Sequence, residues 1–236
     1  MTFYEGVRTN FTLLRQELDV IERTYAINRR TYLARKAKSP HLRVDDPNER
    51  LYYRMREMYN GSRRSRHSDA LLYFFINKTA YSGMIRHNIN GEFNVPFGHY
   101  PSLNTIGVTQ GHQKLLASAT LHNLDYRDVF AMAKRDDFMF LDPPYDCVFS
   151  DYGNAEHKNG FNEKSHRDLA AAFRALPCKA LMVIGRTPLT EELYSDATID
   201  TYTKAYAVNI RNRFKSSATH LIVTNYPRPS KISHKK

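Results

Sequence analysis

Phe138-Met139-Phe140-Leu141-Asp142-Pro143-Pro144-Tyr145 is the stretch that decides how this chain is read. Four apolar residues of strand type run into an acid, and the next two residues cannot continue a central strand. The prolines fix φ and remove two backbone donors, so the chain turns with its carbonyls free. Tyr145 is then held on a stiff loop beyond the carboxyl end of a strand, where open α/β sheets bind ligands. An ordinary strand-ending turn is the competing interpretation of these residues taken alone.

Outward from that strand the pattern alternates between short apolar runs and amphipathic ones. Strands are predicted at residues 120–123, 180–184, around 198–205 and at 220–224. Helices are predicted near residues 113–118 and 127–133, and over 163–176 with Leu169, Ala172, Phe173 and Leu176 inward. This order predicts a mostly parallel α/β sheet covered on both faces, with a late hairpin at its edge.

The front of the chain is helical instead. Val7, Phe11, Leu14, Leu18, Ile21 and Tyr25 form one apolar stripe at steps of three and four, which predicts a helix lying on a sheet. A basic stretch follows, with Arg29, Arg30, Arg35, Lys36, Lys38 and Arg43. Asp46-Pro47-Asn48-Glu49 then reads as a helix start, an N-cap acid followed by proline in the first turn. Leu51, Met55 and Met58 are its predicted buried face and Asn60-Gly61 its end. After the basic loop Ser62-Arg63-Arg64-Ser65-Arg66, Ser68 caps a nearly all-apolar helix over residues 71–76. Periodicity fails from Tyr81 to Tyr100, and an irregular segment of that length is expected to carry function.

The balance of 35 Lys+Arg against 24 Asp+Glu, a net charge of +11, favours a polyanionic partner. Two cysteines, Cys147 and Cys178, lack metal-ligand spacing, and the ten histidines show no paired spacing suited to zinc. No metal is therefore expected, and reduced thiols point to the cytoplasm. No run of eighteen apolar residues is present, so no membrane span is expected.

Three blocks resemble the Dam-type family of DNA adenine-N6 methyltransferases. The first is Asp142-Pro143-Pro144-Tyr145, similar to the family's catalytic loop. The second runs from Asn77-Lys78-Thr79-Ala80-Tyr81-Ser82-Gly83 through Arg86-His87-Asn88 to Gly91-Glu92-Phe93-Asn94-Val95-Pro96-Phe97-Gly98-His99-Tyr100. It resembles the family's target-recognition block. The third, Asn123-Leu124-Asp125-Tyr126, stands where the family has its acid-aromatic pair. Weaker likeness continues through Asn159-Gly160-Phe161 and Leu221-Ile222-Val223-Thr224-Asn225-Tyr226.

The resemblance implies a Rossmann-like S-adenosylmethionine-dependent methyltransferase sheet carrying an inserted, mainly helical target-recognition domain. It implies that the Asp142 carboxylate and Pro143 carbonyl accept the hydrogens of adenine's amino group. Pro144 stiffens that carbonyl, and Tyr145 offers a stacking face to the flipped base. Asp125, Tyr126 and Asp142 are the implied cofactor contacts; for Asp125, a helix cap is the equal alternative from sequence. Tyr81, Ser82, Met84, Arg86, Asn88, Pro96, His99 and Tyr100 are implied to face double-stranded DNA. Arg86 suits guanine through two hydrogen bonds, or else a phosphate. His99 and Ser82 depart from the Arg or Lys and the Asn typical of relatives that read GATC. Arg211, Arg213 and Lys215 are further candidate phosphate contacts.

The implied domains are residues 1–30 as the start of the catalytic domain, 31–108 for target recognition, 109–228 catalytic, and a basic tail at 229–236. The family's opening strand with its Phe-x-Gly-x-Gly turn, and a second strand ending in Asp-x-Asn, have no match here. The expectation is a truncated or split enzyme: an upstream start, a second chain supplying the front half, or the remnant of a broken gene. Adenine-specific methylation, alone or with a restriction partner, is the expected activity. A non-catalytic DNA-binding remnant is the alternative, and an amino-methylase acting on RNA a weaker one.

Overall fold

The computed structural model describes residues 1–146, 161–205 and 217–227. The chain divides into two units, Met1–Asn123 and Leu124–Lys236.

In the first unit the apolar stripe forms two helices rather than one, α1 (Thr2–Thr9) and α2 (Phe11–Lys38). Asn10 breaks them at φ −129° and ψ 34°, yet Val7, Leu14, Leu18, Ile21 and Tyr25 all stay buried. Within its own unit the stripe packs among helices. It enters a core made with α3 (Pro47–Tyr59), α4 (Asp69–Thr79) and the segment from Phe93 to Leu103. The reason lies in α4, whose Leu71, Leu72, Phe74, Phe75 and Ile76 are buried, so neighbours are needed on nearly every side. Each such side chain stabilises by about 1.5–3 kcal/mol on leaving water. Helix α1 approaches α4 so closely that a Cβ on Gly6 would stand 2.5 Å from Ala70 Cβ.

Both starts of helix read from the sequence are present. Asp46 accepts from the Asn48 amide with Pro47 in the first turn, and Ser68 Oγ accepts from the Leu71 amide. Asn60 closes α3 and Gly61 takes φ +76°, a value suited to glycine. Tyr52 is buried beside Met55, while Leu51 and Met58 are only partly covered. A further helix, α5, spans Gln110–Ala117. The strand expected at residues 120–123 is absent: these residues carry no regular structure and only Leu121 is even partly shielded. With one apolar residue in four and no neighbour to pair, nothing offsets the entropy of straightening them.

The second unit is a mixed α/β layer. Its strands are β1 (Phe138–Leu141), β2 (Lys179–Gly185), β3 (Thr198–Ala205) and β4 (Ser217–Thr224). Their order is β1-β2-β4-β3, with only β1 and β2 parallel and the other two pairs antiparallel. The expected edge hairpin is there, but the described sheet is not mostly parallel. Along β2, Ala180, Met182 and Ile184 are buried with Leu169 and Phe173 of α7 (Glu163–Arg174). The alternate residues Leu181 and Val183 are only half-buried, so the expected burial of both faces is not reached. Among the described residues β1 pairs only with β2, and Phe138 and Phe140 are 57% and 66% exposed. Two further helices are α6 (Tyr126–Ala131) and α8 (Pro188–Tyr194). The sequence reading missed α8, although Thr187-Pro188 with Thr190 three places on is a helix-start signal.

Candidate functional site

The loop Asp142–Asp146 leaves the carboxyl end of β1, whose parallel neighbour β2 ends beside it. Asp142 is exposed and Pro143 to Asp146 are half-buried. Tyr145 lies over the end of β2, where a Cβ built on Gly185 would meet its Cδ2 at 3.6 Å. Its ring meets buried His220 of β4 edge-on at 5.3 Å, and His220 stacks on Tyr202 of β3 at 4.9 Å. Tyr145 is therefore seated on the sheet by a row of rings that crosses two strands. No sequence signal marks His220 or Tyr202, because only strand order brings them to Tyr145.

Asp146 fastens the far end of the loop. Thr187 Oγ1 donates to Asp146 Oδ2 at 2.7 Å while also capping α8 through the Thr190 amide. Thr190 Oγ1 in turn donates to the Gly185 carbonyl at 2.8 Å. Behind this lies His166, fully buried, edge-on to Phe161 at 4.7 Å, with no hydrogen-bond partner for either ring nitrogen among the described residues. Burial pulls its proton affinity below the ordinary histidine value, and the Asp146 charge opposes that only in part.

Asp125 is the N-cap of α6. Its Oδ1 accepts from the Arg127 amide at 2.9 Å, and both carboxylate oxygens pair with the Arg127 guanidinium. Tyr126 packs on Phe130 at 5.3 Å, and burial raises its hydroxyl pKa. Asp125 and Arg127 pair in the open, where water screens the contact, so an incoming amine can displace the arginine. The acceptor chemistry of Asp125 beside an aromatic ring thus fits the adenine part of S-adenosylmethionine.

In the first unit the recognition block folds as a narrow finger. The Asn94 amide donates to the Arg86 carbonyl at 3.1 Å and the Asn88 amide to the Glu92 carbonyl at 2.8 Å. At its base the Tyr81 amide donates to the Pro96 carbonyl, and the Gly98 amide to the Thr79 carbonyl, each at 2.8 Å. Phe93, Val95 and Phe97 alternate into the helical core, which turns Asn94 and Pro96 outward. Asn60 braces the finger by bonding both the amide and the carbonyl of Phe93. Tyr52 and Arg56 hold the Val95 carbonyl.

The expected DNA-facing residues fall on this finger and its root. Tyr81, Arg86, Pro96 and His99 are exposed; Ser82, Met84, Asn88 and Tyr100 are half-buried. Arg86 Nε donates to Asn94 Oδ1 at 2.9 Å, an orienting contact that the sequence did not suggest. The Tyr100 carbonyl accepts from Tyr25 Oη at 2.7 Å, and burial pushes the Tyr25 hydroxyl up to about 12. Ser82 and His99 both hold positive φ, 54° and 55°, a strained choice for residues other than glycine. His99 lies edge-on to Phe97 and beside a hollow of about 310 Å3 lined by Lys36, Arg43, Asp46 and Glu49. Cys147, Asn159, Gly160, Arg211, Arg213, Lys215 and the basic tail at 229–236 lie outside the described residues. Cys178 is buried and unpaired with another cysteine.

Among the described residues no three His, Cys, Asp or Glu side chains gather as a metal site, and no helix is long and apolar enough to cross a membrane. A family model described as "D12 class N6 adenine-specific DNA methyltransferase" matches residues 19–208. The chain is 34% identical to the type II methyltransferase M.CviBI of Paramecium bursaria Chlorella virus NC1A, over 65% of this chain and 60% of that protein. It is 28% identical to the retron Ec67 DNA adenine methylase of Escherichia coli, over 75% of this chain and 62% of the relative. With the DNA adenine methylase of Escherichia coli strain K12 it shares 30% identity, over 71% and 59%. The matches thus span about three fifths of each relative's length. With four fifths of its residues inside one family model, and the loop and finger built from the motifs above, the chain belongs to the D12 class of N6 adenine-specific DNA methyltransferases.

Proposed function

We propose that this chain carries the catalytic loop and the recognition finger of a site-specific DNA methyltransferase acting on adenine N6. The observation that supports this best is the exposed Asp142 at the end of β1, followed by a Tyr145 ring anchored on β2 and β4. Adenine's amino nitrogen is a poor nucleophile because its lone pair is delocalised into the ring. Asp142 and the Pro143 carbonyl accept its two hydrogens, which lets the nitrogen pyramidalise and present that lone pair. Pro144 keeps the carbonyl in place, and Tyr145 stacks on the extruded base. S-adenosylmethionine supplies the electrophilic methyl group when bound; Asp125 and Tyr126, with Asp142, are the residues here that would hold it. Residues 31–108 form the recognition part, with Tyr81, Ser82, Met84, Arg86, Asn88, Pro96, His99 and Tyr100 toward duplex DNA.

In this proposal the sheet is of the Rossmann-like methyltransferase type, and a second chain completes it along β1. Exposed Phe138 and Phe140, on a strand that pairs along one edge among the described residues, support that part. The test is adenine-N6 methylation of plasmid DNA by the chain, alone or supplied with the cofactor-binding segment of a relative. Asp142→Ala should lower it at least about 100-fold. Undiminished methylation in that variant overturns the proposed activity. The alternative, a DNA-binding protein without catalysis, predicts duplex binding with no calorimetric signal on titration with S-adenosylmethionine.

A further inference from the structure

Ile89 is 102% exposed, the most exposed of the large apolar side chains among the described residues. A scattered apolar residue on a surface needs no explanation; the place of this one does. It occupies the second position of the turn Asn88-Ile89-Asn90-Gly91, closed by the Gly91 amide on the Asn88 carbonyl at 3.0 Å. Such turns favour Gly, Asn, Asp, Ser or Pro, which the other three positions supply. Asn88 Oδ1 accepts from the Asn90 and Glu92 amides, and Asn88 Nδ2 donates to Glu92 Oε2. The tip is therefore stiff, and the base of the finger is anchored by Asn60 and buried Phe93. A β-branched apolar side chain is held out, fully exposed, by a braced hairpin.

The surroundings select the occupant. Arg86 stands on the same finger with its Nε fixed by Asn94. The exposed Arg63, Arg64 and Arg66 belong to the loop that begins directly after Asn60. An exposed apolar point on a finger that carries Arg86, and that is braced by Asn60 where a basic loop begins, suits a polyanion with an apolar interior, which describes stacked duplex DNA. Side chains of this kind enter between base steps and partly unstack them.

We propose that Ile89 is a DNA wedge: it inserts between base pairs, while Arg86 and the basic loop hold the backbone. The proposal rests on the DNA-binding reading above and adds an inserting residue outside the expected DNA contacts. It is tested by relaxing closed circular plasmid with a topoisomerase in the presence of the full chain, which needs no knowledge of the recognised sequence. Wild type should bind and unwind the plasmid. Ile89→Ser should keep its melting temperature and binding within about twofold yet lose at least two thirds of the unwinding per bound molecule, while Ile89→Leu retains it. Full unwinding by Ile89→Ser overturns the wedge and leaves the DNA-binding reading standing. Failure of wild type to bind plasmid at all overturns both.

Discussion

His166 carries the sharpest consequence at the scale of single residues. Its folded proton affinity lies below the unfolded value, so the native state resists protonation while the unfolded chain accepts it. Stability is then full above the ordinary histidine pKa and falls as pH drops below it, by at most about 1.4 kcal/mol per pH unit for one proton. His166→Phe should flatten the decline in melting temperature between pH 7.5 and pH 5.5. An equal decline in that variant assigns the acid sensitivity to other groups. Gly6 offers a steric counterpart. Gly6→Ala sets a methyl 2.5 Å from Ala70 Cβ and should destabilise by about 1–3 kcal/mol in denaturant unfolding, with partial rescue by Ala70→Gly. Both residues escaped sequence reading for one reason. A glycine inside a helix and a lone histidine look alike whether they face water or a neighbour far along the chain.

At the scale of elements, caps do more than end helices here. Ser68 caps α4 and also donates to the Glu17 carboxylate of α2, so one hydroxyl fixes two helices. Ser68→Ala should cost about 1–2 kcal/mol, read as a lower denaturant midpoint at unchanged slope. Thr187 joins the cap of α8 to the end of the loop that follows β1 through Asp146. Thr187→Val should lower methylation severalfold in excess of its effect on stability, whereas Thr187→Ser restores it; equal activity in Thr187→Val would show that the tether is dispensable. The starts of α3 and α4 were legible because capping is local chemistry between residues two or three apart. The strand expected at residues 120–123 failed because a strand is not local: it exists only where a neighbour pairs with it.

For the whole molecule, the charge of +11 predicts duplex binding that weakens steeply with salt. Removing a phosphate contact lowers the slope of log affinity against log salt by about one. Arg86→Ala should leave that slope nearly unchanged but relax sequence preference if its guanidinium, oriented by Asn94, reads a guanine edge. A slope lowered by one with specificity intact would make Arg86 a phosphate contact.

The amino-acid sequence by itself determined the family, the proline-stiffened loop that follows β1 and the alternating strands of the second unit. Short motifs and periodicities survive in one dimension, since proline geometry and side-chain alternation act between near neighbours. Tertiary structure alone decided that the first stripe packs among helices, that most strand pairs among the described residues are antiparallel, and that His220 and Tyr202 seat the Tyr145 ring. It also decided that a fully exposed isoleucine crowns a braced finger. Those outcomes depend on which surfaces meet after the chain has closed long loops, and burial, unlike capping, is a property of the partner as much as of the residue.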